Sequence, residues 1–170
     1  MKAQIRIIAL ALLLTGISIS TFAQVSATAN ASATIVTPIA ISKTVDMNFG
    51  NVAVSATAGT VVLTPAGSRS LTGGVTLPTI AGTVAAASFN VTGANNYTYT
   101  ITLPSTALPI TSGANTMSVN SFTSNPATTG TLSATGSQTL NVGATLNVSA
   151  SQAAGSYTSV TPFTVTVNYN

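Results

Sequence analysis

From Val25 to Ile35 the chain alternates without a break. Val25, Ala27, Ala29, Ala31, Ala33 and Ile35 take one parity, and Ser26, Thr28, Asn30, Ser32 and Thr34 the other. The same period of two returns at Phe163, Val165, Val167 and Tyr169, set against Thr164, Thr166, Asn168 and Asn170. Successive side chains of a strand point to opposite faces, so this period predicts strands with one covered face. Both ends of the domain therefore read as strands. Between them, short alternating runs bounded by Gly, Pro and Asn predict strands over Ile39–Val45, Gly59–Leu63, Ser88–Thr92, Tyr97–Leu103, Thr116–Phe122, Thr139–Val142 and Thr145–Ser149, with a last one over Thr161–Tyr169. Gly93–Asn96 reads as a hairpin loop of about four residues. Gly143-Ala144 reads as a turn or a bulge.

The residues that fall on the inward parity include Phe49, Val61, Leu63, Phe89, Val91, Ile101, Leu103, Met117, Val119, Leu140, Val142, Leu146 and Val148. Tyr97 and Tyr99 share the parity of Ile101. Many short strands, frequent turns and no helical period predict an all-β fold, an immunoglobulin-like β-sandwich in a single domain. Thr-x-Thr recurs at no fixed period, which argues against a solenoid or a stacked Thr array.

The opening residues do not fit that pattern. Lys2 and Arg6 precede an apolar run from Ile7 to Leu14, and Thr21-Phe22-Ala23 supplies small residues at a cleavage site. This reads as a secretory signal peptide over 1–23. The run is too short for a membrane-spanning helix. The expected organisation is then 1–23 signal peptide, 24–36 N-terminal strand or donor extension, and 37–170 β-sandwich. The expected location is outside the cytoplasm, at the cell surface, extracellular or periplasmic.

Charge narrows the function. The whole sequence has four Lys and Arg, one acidic residue, and neither His nor Cys. Charged residues make up 3%, against about a quarter in ordinary domains. Beyond the signal peptide only Lys43, Asp46 and Arg69 remain. Two cations make no nucleic-acid footprint. One carboxylate excludes paired-carboxylate catalysis within one chain, and the lack of His excludes a Ser-His-Asp arrangement. Zinc and transition-metal sites lack their ligands. A Ser42–Lys43 dyad fails because neighbours on a strand face opposite ways. An isopeptide crosslink through Lys43 and Asp46 would need both buried beside an Asn. The expectation is a non-enzyme with no cofactor and no metal.

What the chain lacks in chemistry it leaves open in edges. Monomers defend exposed strand edges with Lys, Pro or inward charges. Val25–Ile35 carries no Pro, no Gly and no charge, and Phe163–Asn170 carries none either. Strands of this kind are suited to pairing with another chain, where main-chain hydrogen bonds give affinity and alternate side chains give fit.

The runs Ala33–Ile39, Met47-Asn48-Phe49-Gly50, Val142–Leu146, Ala154–Tyr157 and Phe163–Asn170 together resemble a secreted bacterial family known as domain of unknown function forty-four-oh-two. The end pattern also resembles chaperone–usher pilins, including a penultimate Tyr, here Tyr169. That resemblance implies donor residues Val25, Ala27, Ala29, Ala31, Ala33 and Ile35, and a groove and chaperone-binding strand at Phe163, Val165, Val167 and Tyr169. It implies self-association or other surface subunits as partners, and a periplasmic chaperone. The sequence departs from the pilin pattern in lacking a disulfide, in having Tyr157 where many pilins carry Gly, and in its small Ala donor side chains.

The leading functional expectation is an exported structural subunit of a cell-surface filament, adhesive and joined by strand exchange. Two alternatives stand beside it. One is a monomeric surface or periplasmic binding module, with glycan contacts from Tyr97, Tyr99, Tyr157 or Tyr169. The other is a small outer-membrane β-barrel.

Overall fold

The computed structural model describes residues 23–170. The expected signal peptide, apart from Ala23, lies outside the described residues. The strands in chain order are β1 (Ala40–Val45), β2 (Asn48–Phe49), β3 (Ala53–Leu63), β4 (Arg69–Thr76), β5 (Val84–Ala85), β6 (Ala87–Thr92), β7 (Thr98–Thr102), β8 (Leu108–Ser112), β9 (Asn115–Asn125), β10 (Thr129–Thr131), β11 (Ser137–Val148) and β12 (Thr166–Tyr169). All ladders are antiparallel, and no helix occurs among the described residues.

β11 organises the larger sheet. Its side chains alternate cleanly, with Leu140, Val142, Ala144, Leu146 and Val148 all buried. Its first half pairs with β6 and its second half with β3, while β9 runs along the opposite edge. β1 extends the sheet beyond β6, β4 beyond β3, and β8 beyond β9. A smaller sheet has the order β10-β7-β12, and β2 pairs with β5. The sheets keep open edges, so the described residues form a sandwich and not the closed barrel of the second alternative.

Apolar side chains from facing sheets make the core. Ala87, Val91, Leu140 and Val142 of the larger sheet meet Tyr99 and Val167 of the smaller one, with Val165 and Leu132 from the segments flanking β12 and β10. A second cluster gathers Val61, Val75, Val119, Ala144, Leu146 and Val148 at the other end. Met47 and Phe122 pack against both clusters. No buried side-chain nitrogen or oxygen lacks a hydrogen bond among the described residues, so the core carries no desolvation penalty of that kind.

Four expectations need correction or narrowing. The loop after β6 is not a hairpin, because β6 and β7 lie in different sheets. It is a crossover, tightened by Asn96 at φ 63 and tied by Gly93 N donating to Gly136 O at 2.9 Å. Gly143-Ala144 does not interrupt its strand. Gly143 faces Thr123 and Thr145 faces Asn120, so the extra residue lies opposite, in β9. The bulge alternative holds, with Ser121 at φ 51 taking the strained position. The predicted strand over Thr161–Tyr169 shortens to β12, since Thr161–Val165 diverges from β7.

The fourth concerns Val25–Ile35. No strand forms there within the chain. Every side chain from Ala23 to Ile35 is exposed, Val25 at 93% and Ile35 at 96%. The sandwich unit itself spans Ile35–Asn170.

Candidate functional site

A strand's in-plane polar groups alternate between its two edges, so the register tells which backbone groups are free. Asn170 N donates to Thr98 O at 3.3 Å. Asn168 and Thr166 therefore hydrogen-bond toward β7, opposite Thr100 and Thr102. The N–H and C=O of Val167 and Tyr169 face the other way, and no strand pairs with β12 on that side among the described residues. The same argument applies to β1. Gly93 N points to Gly136 beside β11, so Asn90 and Thr92 point to β1 and pair with Ser42 and Ala40. The outer edge of β1 then presents the backbone of Ile41 and Lys43.

The domain's open edges differ in how they are defended. β1 carries Lys43 and a register irregularity between Lys43 and Val45. β4 begins at Arg69, contains Gly73 at φ 66, and has an irregular register with β3. β8 contains Pro109, and its outer side is capped by a bridge between Thr111 and Thr158. β10 is three residues long. β12 has no charge, no Pro, no Gly and an uninterrupted register. By the logic of edge protection it is the least defended of these five edges.

The four residues expected to form the acceptor strand have distinct roles. Val165 and Val167 are buried, with their side chains in the core. Phe163 lies before β12 and packs its ring on Phe122, centroids 5.0 Å apart, and edge-on to Phe89 at 6.3 Å. The Tyr169 hydroxyl accepts from Ala94 N at 2.6 Å and donates to Thr37 O at 2.7 Å. Together they make an edge whose side chains are already packed, rather than an empty apolar groove. Cα atoms of β1 and β12 come within 8 Å. A strand bonded to both edges needs them about 9.6 Å apart, twice the strand spacing. The gap between β1 and β12 is therefore too narrow for a strand bonded to both. The Tyr169–Thr37 clasp was not foreseen from sequence; the penultimate Tyr was the one available signal.

The six expected donor residues, Val25, Ala27, Ala29, Ala31, Ala33 and Ile35, are all exposed and carry no ladder. The candidate chemistry elsewhere is surface structure. Lys43 Nζ and Asp46 Oδ1 form an exposed ion pair at 2.6 Å. The Ser42 hydroxyl donates to Asn90 O at 3.5 Å, away from any role with Lys43. Arg69 donates to Phe49 O at 2.7 Å and Asn51 O at 3.1 Å, pinning the β2 turn. Of the tyrosines expected to meet glycans, Tyr99 is fully buried, Tyr97 is 45% exposed and stands edge-on to Tyr169 at 5.5 Å, and the Tyr157 hydroxyl donates to Ala153 O and accepts from Gln152.

A family model described as Domain of unknown function (DUF4402) matches residues 39–169. The chain belongs to this family. The DUF4402 region takes in the sandwich from Ile39 to Tyr169, β1 and β12 included, and leaves out Val25–Ile35. No match was found among curated proteins or solved structures.

Proposed function

We propose that this DUF4402 chain is an exported structural subunit of a cell-surface assembly. Residues 25–35 of one copy add as a strand to the outer edge of β12 in the next. Its role in this reading is mechanical and adhesive, without catalysis, and a periplasmic chaperone would guard the same edge before assembly. The observation that carries the reading is a pair of complementary needs. An alternating, uncharged segment has no ladder of its own, and β12 is the least defended of the five edges compared. Main-chain hydrogen bonds to Val167 and Tyr169 would supply affinity. The Ala side chains of the segment suit an edge whose core is already filled, since larger ones would find no empty pockets.

The test is a gel of cell-surface extract in SDS, run unboiled and boiled. A heat-sensitive ladder that disappears on deleting residues 24–35 is the expected result, because strand-exchanged joints unfold slowly. A monomer band in both lanes, or a ladder that survives the deletion, overturns the proposal.

A further inference from the structure

Four strands of the larger sheet carry a row of polar side chains in register. Thr72 of β4 lies opposite Thr60 of β3, Thr60 opposite Asn147 of β11, and Asn147 opposite Ser118 of β9. These residues alternate with the buried Val61, Leu146 and Val119, so the row lies on the face turned away from the core. It borders an open, shallow surface trough of about 570 Å³. Four neighbouring strands place the row over about 14 Å, three times the strand spacing of about 4.8 Å.

The row has hydrogen-bonding capacity to spare. The Thr60 and Thr72 hydroxyls share one bond at 2.7 Å, which leaves one O–H donor and several lone pairs free. Asn147 donates one amide hydrogen to Ser118 O at 3.2 Å. Its second amide hydrogen and its Oδ1 have no partner among the described residues, nor does the Ser118 hydroxyl. Ala58 adds a small apolar patch to the same trough, while the Met117 side chain packs on the core behind it, and no charged residue lines it. Closely spaced neutral donors and acceptors beside a small apolar patch match the hydroxyl and C–H faces of sugars. A charged ligand would find no counter-ion there.

We propose that this trough binds an extended neutral polysaccharide. The site is independent of the assembly edge at β12 and makes no use of residues 25–35. The test is co-sedimentation of the purified full-length chain with insoluble cellulose, chitin and β-1,3-glucan, with an alginate gel as the anionic comparison. The expected result is depletion from solution by at least one neutral polymer, unchanged when NaCl is added, and none by alginate. Thr60→Val with Asn147→Leu should lose that depletion while keeping the parent melting temperature, and Thr60→Ser should keep it. Thr72→Val, on the exposed edge strand, gives a second variant with little risk to folding and should weaken depletion in the same direction. Deleting residues 24–35 should leave it intact, which separates this site from assembly. No depletion by any neutral polymer, or equal depletion by folded Thr72→Val and Thr60→Val/Asn147→Leu variants, overturns the proposal.

Discussion

One phenol oxygen, that of Tyr169, joins β12 to the chain before β1 and to the crossover after β6. Tyr169→Phe keeps the ring against Tyr97 but leaves the part-buried Ala94 amide without its acceptor. The expected loss is about 1–2 kcal/mol, read as a lower urea midpoint at unchanged slope. Tyr99 is the other telling phenol. It donates to Gln138 Oε1 at 2.7 Å, and that oxygen also accepts from Thr131 N at 2.9 Å. Burial pushes the Tyr99 phenol above its ordinary value of 10.0, because the anion would lose its hydration. The unfolded chain therefore releases this proton at lower pH than the folded one. Stability from this group is fully present below the unfolded value and is lost as pH rises through the folded value. Melting temperatures taken from about pH 9 to about pH 11 should fall for the parent and fall less steeply for Tyr99→Phe.

At the scale of elements, β11 decides whether the sandwich closes, and Gly143 is its tightest point. A Cβ there would lie against Leu63 O, and within 2.6 Å of the Thr64 carbonyl carbon. Those atoms are backbone of the β3 end and its turn and cannot rotate away. Gly143→Val should prise β3 from β11 at a cost of about 1–3 kcal/mol or more, visible as a lowered melting temperature. Sequence shows this strand only in halves. Its apolar alternation is plain on both sides of Gly143, but a Gly-Ala pair looks the same locally in a break as in a continuous strand beside a bulge. β6, β7 and β9 were legible because their inward side chains are large, and β1 through Ile39 and Ile41 although the rest of it is exposed. β4 was not, since Gly73-Gly74 interrupts Leu71 and Val75; β8 was hidden by Pro109, and β10 by its length. Partnership is the deeper gap. The loop at Gly93–Asn96 has hairpin chemistry yet links two sheets, and Val25–Ile35 has strand chemistry yet no ladder. Period two reports a covered face, not which strand lies alongside. The acceptor edge was partly legible, in the lack of charge from Phe163 to Asn170, while the backbone groups that face outward required the register.

Across the whole molecule, the scarcity of charge makes a separate prediction about the assembly. Among the described residues the charged side chains are Lys43, Asp46 and Arg69, and the first two form one exposed pair. Such a pair contributes at most about 1 kcal/mol. The sequence has no His, Glu or Cys, and His is the side chain whose ordinary charge change falls between about pH 5 and 8. Folded and unfolded chains should then bind nearly the same number of protons over the middle range, and stability should be flat there. A joint made from residues 25–35 and β12 would inherit this indifference, since neither partner carries a charge to be screened. Its strength would rest on backbone hydrogen bonds and on small apolar contacts, which salt does not screen as it does ion pairs. Surface polymer incubated in about 1 M NaCl, or shifted between about pH 5 and about pH 9, should therefore keep its unboiled ladder. Heat in SDS should still collapse it to monomer. A ladder that dissolves in salt alone would mean that ion pairs join the subunits. Among the described residues the one acidic side chain is Asp46, already beside Lys43, so the joint would then lie near β1 and not at β12.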